Sequence, residues 1–222
     1  MILCLVTDRR RLGAAMGAPP AGWDDLLRAQ VRSAAQAGVE LIQVREPDLE
    51  AAALTALVRD LMRLVRGTPA RLLVNDRVDV AIAAKASGVH LKEHSVLPDD
   101  VRRITPAGFT IGCSVHTTAA VAARKSADFL IAGTVRPTAS KRAVDYLDEA
   151  GLEAIVKAAA KQPVLGIGGL DISSVSLVAA SCAAGMAAVG AFIPTAGEDV
   201  SEFVQKRVNG LRIAFDSVKR PT

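Results

Sequence analysis

The sequence predicts an α/β fold, a (β/α)8 TIM barrel. Three observations carry this reading. Short runs of aliphatic and β-branched residues alternate with longer helical patterns, eight such pairs fit within the 222 residues, and half of the residues are apolar. That much apolar surface can fill both a barrel interior and the layer between strands and helices. A strand followed each time by a crossover helix demands a parallel sheet. Eight units suit a closed barrel, with a doubly wound open sheet as the alternative. No shift in composition divides the chain, so residues 1–222 read as one barrel domain.

The candidate strands, in order, are Ile2–Thr7, Val39–Arg45, Arg71–Asn75, Gly88–Leu91, Thr110–Val115, Phe129–Ala132, Val164–Ile167 and Ala187–Gly190. Each is short, apolar and bounded by polar or turn-forming residues. Helical periodicity predicts Asp24–Ala37, Leu49–Arg66, Val78–Ala86, Thr117–Ser126, Leu147–Ala160, Ile172–Ala183 and a final helix over Ser201–Phe215. A short helix, Asp99–Ile104, is all that precedes the fifth strand. Asp48 and Asp171 stand where N-caps belong, and Gly38 and Gly67 where helices should stop. Two segments, Gly13–Gly22 and Thr134–Asp145, read as long loops. Both follow strands, which in a barrel puts them over the catalytic face.

Charge and composition narrow the function. There are 27 Lys and Arg against 23 Asp and Glu, a net charge of +4. This suits a small anionic ligand, and with aromatics at only 3% a nucleic-acid surface with interleaved rings is not expected. Cys4, Cys113 and Cys182 are odd in number and irregular in spacing. Two of them sit in apolar strands, which points to a reducing cytoplasm and no disulfide framework. The run Ile2–Val6 is too short for a signal-peptide core. No segment reaches the ~20 apolar residues of a membrane span. The expected partner is therefore a small molecule, with neither nucleic acid nor membrane, and a homo-oligomer is possible.

A barrel carries its chemistry where the strands end. Strand two ends in Gln43-Val44-Arg45-Glu46, strand three in Asn75-Asp76-Arg77 and strand five in Ser114-Val115-His116. Strand alternation sends Ile111, Cys113 and Val115 toward the helices, and Gly112, Ser114 and His116 toward the mouth. Gln43 and Arg45 likewise share a face opposite Ile42 and Val44. Such residues can also end a strand simply to meet water; four strands converging on one mouth favour a site. Gly168 and Gly169 end strand seven ahead of a helix capped near Asp171, and Gly190-Ala191 end strand eight. Glycines there let backbone N–H groups reach phosphate oxygens, and a helix N-terminus adds a favourable field. Asp76 is the best candidate metal ligand, though a cap, or a salt bridge to Arg77 or Arg45, is the stronger reading of it.

These segments resemble the family of thiamin phosphate synthase and the TenI-type thiazole tautomerase. The resemblance rests on Ile42-Gln43-Val44-Arg45-Glu46, Val74-Asn75-Asp76-Arg77-Val78-Asp79, Gly88-Val89-His90-Leu91, Ile111-Gly112-Cys113-Ser114-Val115-His116, Pro137-Thr138-Ala139-Ser140-Lys141 and Gly166-Ile167-Gly168-Gly169. Within the family, the synthase joins a pyrimidine diphosphate to a thiazole phosphate, with magnesium on the diphosphate. Where a synthase has a lysine after the segment like Gln43–Glu46, this chain has Pro47. Where it has a second metal aspartate, this chain has Ser95, and Lys92-Glu93 replace glycine-glutamine.

The resemblance therefore implies the tautomerase branch first: His116 as the catalytic base and Gln43, Arg45, Asn75, Ser114 and Lys141 around the substrate. The phosphate would lie on Gly168, Gly169, Gly190 and Ala191. It implies no cofactor there. For a synthase it implies magnesium held by Asp76, with Lys92 or the arginines Arg9, Arg10 and Arg11 supplying the missing contacts. A binder of the thiazole phosphate without turnover is the third possibility.

Overall fold

The computed structural model describes residues 1–138 and 146–218. Eight parallel strands close into a barrel in the order β1 to β8: Ile2–Val6, Leu41–Val44, Arg71–Asn75, Gly88–Leu91, Thr110–Val115, Phe129–Gly133, Val164–Ile167 and Gly185–Ala188. Closure is made by β1 and β8, where Ile2 pairs with Gly185 and Leu5 with Ala188.

The helices are α1 Arg9–Ala15, α2 Trp23–Gln36, α3 Ala51–Leu64, α4 Val78–Ala83, α5 Pro98–Ile104, α6 Thr118–Ala122, α7 Asp148–Ala159, α8 Val175–Ala180 and α9 Val200–Asp216. Alternation along the strands builds two apolar layers. Ile42, Val44, Ile111, Cys113 and Val115 pack outward against the helices. Cys4, Val6, Leu41, Leu73, Phe129, Ile131, Leu165 and Ala187 fill the interior, so the barrel is a packed core and not a pore. Both Cys4 and Cys113 are buried free thiols, while Cys182 is exposed. No helix among the described residues is long and apolar enough to cross a membrane.

Four sequence expectations need correction. Strand eight starts at Gly185 and ends at Ala188, two residues earlier than Ala187–Gly190. A glycine, a methionine and two alanines give little β signal, and the pairing with β1 decides the register. Gly190 and Ala191 instead open a single 3-10 turn, Gly190–Phe192. The supposed loop Gly13–Gly22 begins inside α1, which Asp8 caps by accepting the Arg11 N–H at 2.9 Å. Asp48 caps nothing: Glu50 holds the N-cap position of α3, and Asp48 pairs with Arg9 at 2.8 Å. The helix over Ile172–Ala183 is a 3-10 turn, Ile172–Ser174, followed by the short α8. Asp171 does cap it, and Gly38 and Gly67 end their helices at φ +86° and +80°.

Candidate active site

The polar ends of β1 to β5 gather at one mouth. On β2 the side chain of Gln43 is buried on the interior face, while Arg45 lies exposed at the rim. Asn75 ends β3 half-buried. Ser114 on β5 meets His90 of β4, Oγ to Nε2 at 2.9 Å. His90 is buried beside Phe129, with ring centroids 5.9 Å apart. Its Nδ1 has no hydrogen-bond partner. Burial pushes its pKa down to about 4, only partly offset by the charge of Asp76, so the ring is neutral at pH 7.

His116 lies at the rim just past β5, where alternation put it. Its Nδ1 is 2.5 Å from Glu93 Oε2, and its backbone N–H donates to the same oxygen at 2.6 Å. A carboxylate on one ring nitrogen fixes the orientation of the imidazole and leaves Nε2 for a ligand. Glu93 sits in the β4–α5 connection, which is stapled from below. The buried guanidinium of Arg124 donates to the carbonyls of Glu93, Ser95 (3.1 Å) and Val96 (2.9 Å).

Asp76 is held by neither Arg77 nor Arg45. Arg77 pairs with Asp79 at 2.6 Å, and Asp76 takes the Lys92 ammonium at 2.8 Å together with the Ser95 hydroxyl. Both partners, with the Lys92 N–H, hold its carboxyl below the usual carboxylate range against the opposing effect of burial.

At the ends of β7 and β8 the backbone forms an open cradle. Gly168 and Gly169 have φ of +102° and +62°, which L-residues with side chains rarely adopt. A Cβ on Gly168 would lie 2.4 Å from Thr134 Cγ2, and one on Gly169 would lie 2.5 Å from the Pro137 carbonyl. Among the described residues, nothing accepts the N–H groups of Gly168, Gly169, Gly190 or Ala191. The following helix contributes less than expected. Asp171 caps it with its own carboxylate, taking the Ser173 N–H at 2.9 Å. Lys141 lies outside the described residues.

Sequence reasoning named Lys92 as a possible contact for a synthase substrate but missed two parts of this mouth. Glu93 follows β4 directly, so the strand-end rule that found Asn75 and Ser114 applied to it too. The second part is a buried network at the ends of β1 and β2. Glu46 accepts the Thr7 hydroxyl at 2.5 Å and the Arg9 N–H at 3.1 Å, and Thr7 accepts the Arg45 N–H at 3.0 Å. Burial raises Glu46 to about 7, despite the Thr7 and Arg9 hydrogen bonds and the Arg9 charge.

Residues 5–192 match the model of the thiamine monophosphate synthase family, which also covers TenI proteins. The chain belongs to this family. A synthase-type protein of Geobacter sulfurreducens is 40% identical over 196 residues, 86% of each chain. The thiamine-phosphate synthase of Roseiflexus castenholzii is 36% identical over 86% of this chain and 81% of its own. Among solved structures, the thiamine phosphate pyrophosphorylase of Pyrococcus furiosus superposes with a TM-score of 0.77 at 30% identity, covering 97% of this chain and 95% of that one.

A synthase of this family implies magnesium at Asp76. The donor set here does not fit a divalent cation. An ammonium already sits on the Asp76 carboxylate and the neighbouring position is a serine hydroxyl. No group of three His, Cys, Asp or Glu is placed to hold a metal among the described residues. A magnesium site wants more carboxylate oxygens or a substrate phosphate.

Proposed function

We propose that this family member is a thiamin-phosphate-forming transferase that joins a hydroxymethylpyrimidine diphosphate to a thiazole phosphate. The observation that carries the reading is the cradle of unpaired N–H groups after β7 and β8, in a chain whose relatives are described as thiamine-phosphate synthases. The cradle suits the thiazole phosphate. Arg45 and Lys92 at the rim suit the diphosphate, and Asn75 and Ser114 suit the polar edge of the pyrimidine. In the reaction the thiazole ring nitrogen attacks the pyrimidine methylene carbon. A C–N bond forms, the C–O bond to diphosphate breaks, and the electron pair leaves on the diphosphate. Cations fixed at that leaving group stabilise the charge it gains in the transition state.

A second reading is favoured by one observation, the His116–Glu93 pair. An imidazole held by a carboxylate is equipped to move a proton, as a thiazole tautomerase requires. The missing lysine at Pro47 and the occupied Asp76 suit that reading as well.

One experiment separates them. The protein is given both synthase substrates, with magnesium and with a chelator, and thiamin phosphate and diphosphate are measured. In parallel, solvent deuterium exchange into carboxythiazole phosphate is followed. The transferase reading predicts both coupled products. Deuterium exchange without coupled products would replace it with the tautomerase, and neither result would leave a binding protein.

A further inference from the structure

The β7 half of the cradle has Arg136 beside it, whose guanidinium donates to Ser174 Oγ at 3.1 Å, and the β8 half has a cation too. Arg11 lies on α1, and its Nη2 comes within 3.1 Å of the point where a Cβ on Gly190 would stand, with Cζ and Nη1 at 3.7 Å. The guanidinium therefore rests over the first residue of the Gly190–Phe192 turn, whose leading N–H groups are unpaired. Among the described residues, Arg11 has no carboxylate partner for its side chain. This contrasts with Arg9 on the same helix, which pairs with Asp48 and lies 3.6 and 3.7 Å from Asp24 and Glu46.

The backbone on both sides of this contact is held, while the Arg11 side chain itself is exposed. Helix α1 is held at its start by Glu46 on the Arg9 N–H and by Asp8 on the Arg11 N–H. Arg9 also stacks over Trp23 at 5.8 Å. The turn below is held by Gln30 of α2, which donates to the Phe192 carbonyl at 2.8 Å. A planar guanidinium beside free N–H groups is a setting for a phosphate monoester, since the one offers charge-assisted hydrogen bonds and the others neutral ones.

We infer that Arg11 is a binding residue for the phosphate group of the substrate, closing over the cradle from β1's side of the barrel. The inference rests on the reading that a phosphorylated thiazole occupies this mouth, and it names what selects the phosphorylated over the unphosphorylated thiazole. Arg10, its neighbour, makes no such approach, and Arg9 is already committed.

Calorimetric titration of the full chain with thiazole phosphate and with the thiazole alcohol tests it, in wild type, Arg11→Gln and Arg11→Lys. Loss of a charge-assisted contact predicts an affinity for thiazole phosphate about 10- to 100-fold weaker in Arg11→Gln, with partial recovery in Arg11→Lys. The alcohol should bind all three proteins equally. Equal phosphate affinity in wild type and Arg11→Gln would overturn the role of Arg11 alone. A parallel loss for phosphate and alcohol would show a merely structural residue and overturn it too. A wild type that prefers the alcohol or binds neither would overturn the phosphate reading of the mouth and Arg11 with it.

Discussion

Glu46 is a carboxyl group almost out of reach of water, and its environment has a measurable cost. Its folded pKa, about 7, lies above the ordinary 4.5 of a glutamate. Folding therefore favours the protonated form. This group's contribution to stability is complete below pH 4.5 and is lost as pH rises through 7. The rise corresponds to about 3 kcal/mol between the two limits. His90 acts the other way over pH 4 to 6.5, because its folded pKa is depressed and its contribution is lost as pH falls. The two offset each other in mild acid, so the clean test is a difference. Glu46→Gln should be more stable than wild type at pH 8, and the gap should shrink or reverse at pH 5. Urea midpoints at the two values measure it, and a gap that does not change with pH would refute the buried-charge account. His116 permits a second test at this scale. If the tautomerase reading holds, folded His116→Asn should lose about 10²- to 10⁴-fold in proton exchange on the thiazole with thiazole phosphate affinity nearly unchanged. In a transferase the same variant should keep most of its coupling rate, so the two assays on one protein divide the readings.

Among the elements, the β4–α5 connection concentrates what the family resemblance could not supply. It carries Lys92 onto Asp76 and Glu93 onto His116, and Arg124 holds it through three carbonyls. Removing a charged donor from three carbonyls, two of them on the half-buried Glu93 and Ser95, costs about 2 kcal/mol. Arg124→Ala should lower stability by that order and speed amide exchange over residues 92–97 more than elsewhere. Unchanged protection there would show that the staple is idle. Strands β3, β4, β5 and β7 were legible to the residue because aliphatic runs with polar ends state both period and boundary. Strand β8 was not, since Gly185, Ala187 and Ala188 carry almost no β signal and their place is set by β1 across the closure. Helix α1 was hidden by its three arginines and by the glycines and prolines that follow. Pairings such as Lys92–Asp76 and Arg9–Asp48 join different βα units, and spacing along one chain does not encode them. The mouth itself was legible: His116, Ser114 and Asn75 lie at the C-terminal strand ends where alternation and the barrel rule sent them.

Taken whole, the barrel divides its two ends. Seven of the strand ends at the mouth present polar groups or, among the described residues, free N–H groups, while a second cleft lies on the opposite face. That cleft, of about 650 Å³, is lined by Arg59, Arg63, Arg66 and Lys85 with no carboxylate among its lining residues. An anion can thus be drawn to either end, and net charge alone does not choose. The cradle has the geometry, through its unpaired N–H groups, that exposed lysine and arginine lack. Substitution within it must respect the fold. Gly169→Val would drive a side chain into the Pro137 carbonyl, whereas a Cβ on Gly190 meets only the mobile end of Arg11. Gly190→Val is accordingly the block that spares the fold; it covers the cradle and displaces Arg11 together, and it should weaken thiazole phosphate by about 10-fold or more without lowering the melting temperature much. The most direct measurement is a crystal structure of the full chain with thiazole phosphate. The account predicts the phosphate within hydrogen-bonding distance of the Gly168, Gly169, Gly190 and Ala191 N–H groups, with the thiazole ring toward Ser114. A phosphate seated instead among Arg59, Arg63, Arg66 and Lys85, with the mouth vacant, would contradict it.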